Sequence, residues 1–138
     1  MFQNILVPVD SPERHQSAVE IAVRMAGGGS ATLTLLHVIE TLADATYDEF
    51  QDFYGEMERR AMAGINDLIL DYQDRVRIRT AIAYGRRAQE ILRFSRENAI
   101  DLIVMSSHRM DPDNPATGWG TISHRVGILS ACPVLLVK

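Results

Sequence analysis

The chain has 138 residues, 46% of them hydrophobic and 23% charged, which predicts one globular domain over residues 1–138 and leaves no room for a second. The single cysteine excludes an internal disulfide framework, and no apolar run approaches the ~20 residues that span a bilayer, so together with the missing leader segment a cytoplasmic protein is expected. The net charge of −4 argues against non-specific nucleic-acid binding.

The first half of the chain predicts two strands, each followed by a helix. Residues 2–9 and 31–39 are apolar runs of strand type, and Asp10-Ser11-Pro12 supplies a cap and a first-turn proline for the first helix. Glycines at 27–29 end that helix. Both helices show apolar stripes at a spacing of three or four residues. The stripes are Ala18, Ile21, Ala22 and Met25 in the first helix and Phe50, Tyr54, Met57, Ala61, Ile65, Leu68 and Tyr72 in the second.

The second half continues the alternation. Residues 75–79 alternate arginine with apolar residues, which is typical of an edge strand protected by charge, and Gly85 then turns the chain into a third helix. Residues 101–105 form a short buried strand, a last helix covers 121–130, and 133–137 is an apolar terminal strand. The third helix has as its buried side Ala88, Ile91, Leu92 and Ser95.

Strands alternating with helices predict a doubly wound α/β fold, in which a parallel sheet carries helices on both faces. Such sheets bind ligands at the carboxyl ends of their strands, where the strand order switches. The only lysine is Lys138, so chemistry that needs an internal lysine, such as a Walker A phosphate loop, is excluded. A phosphate would have to be held by backbone amides, hydroxyls, arginine or a metal.

Polar and glycine residues mark the predicted strand ends. The segments 8–10, 37–38 and 106–109 lie at the carboxyl ends of the first, second and fourth strands, and Gly118-Trp119-Gly120-Thr121 opens the last helix. The free amides of a helix start attract anions, and glycine lets a phosphate approach the backbone. By spacing alone this last segment is equally a helix cap, because it does not directly follow a strand.

Five short motifs, in register over the whole chain, resemble the universal stress protein family. They are ILVPVD at 5–10, LLHVI at 35–39, GRRAQEIL at 85–92, DLIVM at 101–105 with Ser-His after it, and a Gly-Thr before the terminal ACPVLLVK. The resemblance implies a five-stranded parallel sheet of the adenine-nucleotide alpha hydrolase-like type and a homodimer paired through the C-terminal strand.

The ATP-binding branch of that family is marked by glycine, two residues, glycine, nine residues, then glycine and serine or threonine. Here Ser106 and Arg109 stand at the first two glycines, the spacer is ten residues, and Gly120-Thr121 forms the last pair. The chain resembles a variant of this branch with a Ser-His-Arg sequence. Arginine could hold phosphate oxygens through its forked guanidinium, or fill the space that a phosphate needs.

The resemblance implies a nucleotide site without a metal site of its own and without catalytic residues. Asp10 would accept a ribose hydroxyl or orient a metal, with helix capping as its other interpretation. The other implied contacts are Pro8, Val9 and Val38 for adenine, Ser106, Ser107, Arg109, Gly120 and Thr121 for the phosphates, and Ile122 as a further nucleotide contact.

The predicted function is a universal stress protein that binds ATP, with or without Mg²⁺, as a ligand-responsive regulatory module in the stress response. ATP hydrolysis is expected to be slow and incidental, and the protein partner is unknown. One alternative is a nucleotide-free dimer that acts through protein contacts. Another is a small phosphohydrolase that uses His108 and Asp10, although a loop-orienting histidine is the commoner role.

Other polar residues have ordinary interpretations. His37 is expected to pack at a strand end, while His15 and His124 are expected to be exposed on helices. Asp111 and Asp113 are expected in a solvated turn rather than at a metal.

Two charged stretches remain. The first is a cluster of arginines. They are expected to protect a sheet edge from unwanted pairing rather than to bind nucleic acid, because no aromatic residue alternates with them. The cluster consists of Arg75, Arg77, Arg79, Arg86 and Arg87. Residues 40–58 hold seven acids and no base, and are a candidate for a mobile, solvated lid.

Overall fold

A computed structural model of the protein describes residues 1–10, 12–41, 50–107, 113 and 121–138. Strands and helices alternate along these ranges, as the sequence predicts. The elements are β1 (Asn4–Pro8), α1 (Pro12–Ala26), β2 (Thr32–Ile39), α2 (Gln51–Tyr72), β3 (Arg77–Tyr84), α3 (Arg87–Glu97), β4 (Leu102–Ser106), α4 (Ile122–Leu129) and β5 (Val134–Val137). No helix in the described ranges has both the length and the apolar character needed to cross a bilayer.

The five strands form one parallel sheet in the order β3-β2-β1-β4-β5. β1 lies in the middle, with Val7 beside Leu35 of β2 and Leu6 beside Ile103 of β4. The chain winds outward from β1 through β2 to β3, then returns to place β4 and β5 on the other side. The order therefore switches between β1 and β4, which is where this type of sheet holds a ligand. The predicted doubly wound α/β fold is confirmed.

Helices cover both faces of the sheet because alternate side chains of each buried strand point to opposite faces. Ile5 and Val7 of β1 face α1 and α2, whereas Leu6 faces α3 and α4. The first core is completed by Ala18, Val19, Ala22 and Val23 of α1 and by Ile65, Leu68 and Tyr72 of α2. The second core is completed by Ile91 and Leu92 of α3 and Val126 of α4.

The edge position predicted for the arginine-rich strand is confirmed. The predicted length of that strand was wrong. β3 runs to Tyr84 because it pairs with β2 along its whole length, from Thr32 beside Arg77 to Ile39 beside Tyr84. Arg77 and Arg79 are exposed, as the alternation predicts. The second half of β3 is half-buried. The alternation of arginine with apolar residues therefore stops where the strand passes under α2.

Two residues predicted on apolar helix stripes lie at the surface. Met25 is 37% exposed in the last turn of α1, and Phe50 is 40% exposed because α2 begins only after it. The Phe50 ring packs edge-on against Tyr54, with the ring centroids 6.3 Å apart, and Tyr54 is the first fully buried residue of α2. Of the acidic stretch proposed as a lid, residues 42–49 lie outside the described residues.

Gly85 fixes the turn from β3 into α3. Its φ is +147°, and a Cβ there would lie 2.8 Å from Oε1 of Glu90, a buried side chain that pairs with Arg93 at 2.8 Å. Only glycine meets both conditions. Because the Gly85 N–H donates to the Ile39 carbonyl at 3.1 Å, α3 starts beside the carboxyl end of β2.

Candidate functional site

A pocket of about 400 Å³ opens at the carboxyl ends of β1, β2 and β4, against the start of α4. Eight of the residues predicted from the sequence to contact a nucleotide lie in its wall: Pro8, Val9, Asp10, Val38, Ser106, Ser107, Thr121 and Ile122. The other two, Arg109 and Gly120, lie outside the described residues, as do His108 and Asp111. The tertiary structure thus brings together segments more than 100 residues apart in the chain.

One side of the pocket is apolar. Leu36 and Val38 of β2 and Met105 of β4 are each at most 5% exposed, and Ile91 of α3 and Ile122 of α4 complete the surface. A cavity lined by aliphatic side chains with a few convergent polar groups is the usual form of a small-molecule site. This side suits a flat apolar group.

The first polar side of the pocket, the carboxylate wall, consists of Asp10, His15 and Ser106. His15 joins the other two: Nε2 bonds Asp10 Oδ1, and Nδ1 lies 2.9 Å from Ser106 Oγ. The His15 side chain is only 12% exposed, so its predicted place on the exposed face of α1 was wrong. No sequence spacing links His15 to Ser106, since 91 positions separate them, whereas Asp10 lies five residues before His15.

The direction of α1 explains how His15 reaches the pocket. It is the fourth residue of a helix that starts at Pro12, after a connection of three residues from the end of β1. Helix side chains tilt towards the helix N-terminus, so a first-turn residue covers the strand end that precedes it. His15, placed five residues after Asp10, carried this signal, but the apolar stripe of α1 gave no reason to single it out.

The second polar side, the hydroxyl wall, consists of Ser107, Thr121 and Ser123. Thr121 caps α4, because its Oγ1 accepts a hydrogen bond from the His124 N–H at 3.2 Å. Ser123 Oγ lies 3.3 Å from both Thr121 Oγ1 and Ser107 Oγ. These contacts hold the start of α4 against the end of β4.

Arg87 is a pocket residue that the sequence interpretation assigned to edge protection, which was wrong for this arginine. It lies at the start of α3, with Nη1 3.9 Å from Asp10 Oδ2 and Nε 3.9 Å from Glu40 Oε1. Its Nε is buried and has no hydrogen-bond partner among the described residues. A buried guanidinium donor without an acceptor is costly, so a ligand that supplies an acceptor would be stabilised here.

His37 packs at the strand end, as predicted from the sequence. Its Nδ1 donates to the Val9 carbonyl oxygen at 2.8 Å, which ties β2 to the end of β1. A second cavity of about 460 Å³ lies on that side, between β2 and α2, and shares Asp10 and Arg87 with the first. Among the described residues no three histidine, cysteine or carboxylate side chains converge as a metal site would require.

A doubly wound sheet with a half-apolar pocket at its switch point is the architecture in which α/β proteins of this class hold small ligands. Comparison with known proteins places it more closely. The universal stress protein family profile matches residues 1–138, and the chain therefore belongs to this family. It is 29% identical to the universal stress protein YxiE of Bacillus subtilis, over the full length of both chains.

Solved structures show the same fold. The hypothetical protein MJ0577 superposes with a TM-score of 0.84 at 24% identity, over 100% of this chain and 96% of that one. The universal stress protein of Archaeoglobus fulgidus in complex with dAMP has a TM-score of 0.71 at 13% identity, covering 99% and 98% of the two chains. A universal stress protein in complex with cAMP has a TM-score of 0.68 at 17% identity, covering 99% and 97%.

Proposed function

We propose that this universal stress protein binds an adenine nucleotide, ATP with or without Mg²⁺, in the pocket at the carboxyl ends of β1, β2 and β4. The observation that carries the proposal is that eight residues implied by the resemblance to the family's nucleotide site line one pocket. Two relatives of the same fold are known in complex with the adenine nucleotides dAMP and cAMP.

The two kinds of surface in the pocket suit the two ends of a nucleotide. Adenine fits the apolar side formed by Leu36, Val38 and Ile91, and the Asp10 carboxylate is placed to accept a ribose hydroxyl. The hydroxyl wall and the first amides of α4 suit the phosphates, because a helix N-terminus offers unpaired N–H groups and a positive dipole end. Arg87 supplies the positive charge that an internal lysine cannot.

Binding rather than turnover is the role that follows. In this proposal the nucleotide acts as a regulatory ligand in the stress response, hydrolysed slowly at most, in a cytoplasmic protein. The phosphohydrolase alternative requires His108, which lies outside the described residues.

The proposed homodimer rests on the contrast between the edges of the sheet. β5 is an apolar edge strand on which Leu135 is 36% exposed, and Ile128 and Leu129 at the end of α4 are 66% and 64% exposed. Pairing of two β5 strands would cover them. Leu135→Asp is expected to sediment as a monomer, and an unchanged mass would contradict pairing through this strand.

Nucleotide binding is tested by mass spectrometry of ligand released from freshly purified protein, together with calorimetric titration with ATP, in the presence and absence of Mg²⁺. Asp10→Ala should weaken ATP binding at least about tenfold, because a lost charge-assisted hydrogen bond contributes roughly 1.5–3 kcal/mol. Asp67→Ala, at an exposed position of α2, is the matched control and should bind as the wild type does.

The absence of both co-purified nucleotide and ATP heat would favour the second candidate, a nucleotide-free dimer that acts through protein contacts. The observation in its favour is the replacement of two motif glycines by Ser106 and Arg109. An Asp10→Ala protein that binds ATP with wild-type affinity would remove the ribose assignment alone.

A further inference from the structure

The carboxylate wall has the order of groups that activates a serine. A carboxylate, an imidazole and a hydroxyl are joined in sequence, with Asp10 on one ring nitrogen of His15 and Ser106 on the other. Activated nucleophiles in enzymes are recognised by this arrangement: a nucleophile within hydrogen-bond reach of a base that a third group orients. The Nδ1–Oγ distance of 2.9 Å lies within that reach.

When Asp10 is ionised and His15 is neutral, the chemistry of the partners gives each hydrogen bond one direction. An ionised carboxylate only accepts, so His15 Nε2 carries the proton that it donates to Asp10. In neutral imidazole the other nitrogen is then an acceptor, and the Ser106 hydroxyl must donate to Nδ1. Asp10 therefore selects the tautomer in which His15 can take the serine proton. The Arg87 guanidinium lies 3.9 Å from the other Asp10 oxygen.

The pocket also offers a place for developing negative charge. The backbone N–H groups of Ile122 and Ser123 are the first two of α4 and have no acceptor within the helix. Both residues line the pocket, and the 3.3 Å contact of Ser123 with Ser107 holds this turn beside the residue that follows Ser106. Helix-start amides that face a reacting carbonyl oxygen stabilise the oxyanion of an acyl-transfer intermediate, and this is the role assigned to these two amides in the proposal below.

We propose that Ser106 is the nucleophile of an acyl-transfer site, with His15 as its general base and Asp10 as the residue that orients His15. The substrate class is a small carboxylic ester with an apolar acyl group, which the surface formed by Leu36 and Met105 would receive. The proposal does not depend on nucleotide binding, although both would use the same pocket.

Apart from the ester, water is the only reactant that the reaction needs. Ser106 Oγ bonds to the carbonyl carbon and passes its proton to His15 Nδ1, and the ester C–O bond breaks as the departing alcohol takes that proton. Water then attacks the acyl-Ser106 carbonyl carbon and gives a proton to Nδ1. The bond from that carbon to Ser106 Oγ breaks, Oγ recovers the proton, and a carboxylic acid leaves.

The test uses a fluorophosphonate probe, which forms a covalent bond with activated serines, followed by peptide mass mapping of the full-length protein. We expect one probe per chain, on Ser106, and no labelling of Ser106→Ala. His15→Gln should label about a hundredfold more slowly, because a positioned base contributes at least that factor. Ser17→Ala, at an exposed serine of α1, is the control and should label as the wild type does.

A second measurement follows p-nitrophenyl acetate, which should acetylate Ser106 with release of one equivalent of p-nitrophenol before slower turnover. Circular dichroism of each variant separates a lost group from a lost fold. Unlabelled wild-type protein, labelling at another residue, or equal rates in folded wild type and His15→Gln would overturn the proposal. Calorimetry with ATP is independent of these readouts, so either proposal can fail while the other stands.

Discussion

The carboxylate wall and the hydroxyl wall face the same pocket but are built from different bonds. In the carboxylate wall an imidazole links an ionisable carboxylate to a serine hydroxyl, and the ring is 12% exposed. In the hydroxyl wall neutral side chains meet at 3.3 Å, near the upper limit for a hydrogen bond between hydroxyl groups. Charge-assisted hydrogen bonds are roughly twice as strong as neutral ones, so the first wall is the more rigid.

The two walls also serve different purposes. The carboxylate wall presents a pre-oriented acceptor and a polarised hydroxyl, which are useful to a ligand or to a reaction. The hydroxyl wall serves α4 first, through the Thr121 cap, and offers its remaining hydrogen-bonding capacity to the pocket. Substitutions in the two walls should therefore differ in size and in the property that they change.

The largest effect is expected from Asp10→Ala. Removal of the carboxylate leaves His15 without its charged acceptor in a mostly buried position, and should lower the free energy of unfolding by about 2 kcal/mol. Urea denaturation measures this value. Asp67→Ala, the exposed control, should stay within about 0.5 kcal/mol of the wild type. A loss equally small for Asp10→Ala would contradict the rigidity assigned to the carboxylate wall.

The second-largest effect is expected from Arg87→Met, on ATP affinity rather than on the free energy of unfolding. Arg87→Met keeps much of the side-chain volume and removes the guanidinium that faces Asp10. Because Nε has no hydrogen-bond partner among the described residues, the unfolding free energy should change little, whereas ATP affinity should fall about tenfold, or about 1.4 kcal/mol. Calorimetric titration measures the ATP affinity. Arg96→Met, at an exposed position of α3, is the control. Equal affinities of the two variants would show that Arg87 does not contact the ligand.

Thr121→Val tests the hydroxyl wall through its cap. Valine has the shape of threonine without the oxygen that accepts from the His124 N–H, so the unfolding free energy should fall by about 1 kcal/mol. Thr121→Ser keeps the oxygen and should restore most of the loss in the same urea experiment. If serine fails to do so, the loss comes from side-chain packing and not from the cap.

The smallest effect is expected from Ser123→Ala. Its hydroxyl makes two neutral contacts of 3.3 Å, one with Thr121 and one with Ser107. The unfolding free energy should change by less than about 0.5 kcal/mol. A loss larger than that of Thr121→Val would reverse the ranking within the hydroxyl wall.

Most of the fold was predictable because its signals are local. The helical spacing of Ala18 and Ala22, the apolar run of β1 and the arginine alternation of β3 each depend on neighbours in the chain. The errors also have local causes. The second half of β3 lacks the charged alternation, and Phe50 continues an apolar stripe although the helix begins after it.

Residue periodicity predicted the order of the elements, the parallel sheet and the edge position of β3, because periodicity depends only on neighbours in the chain. Eight residues of the pocket wall came instead from the resemblance of short motifs to the universal stress protein family. The tertiary structure alone decided that His15 joins Asp10 to Ser106 and that Arg87 turns into the pocket. Contacts between residues as distant as 15 and 106 depend on where α1 and α3 pack on the sheet. That packing brings their first turns over the strand ends, and no spacing along the chain encodes it.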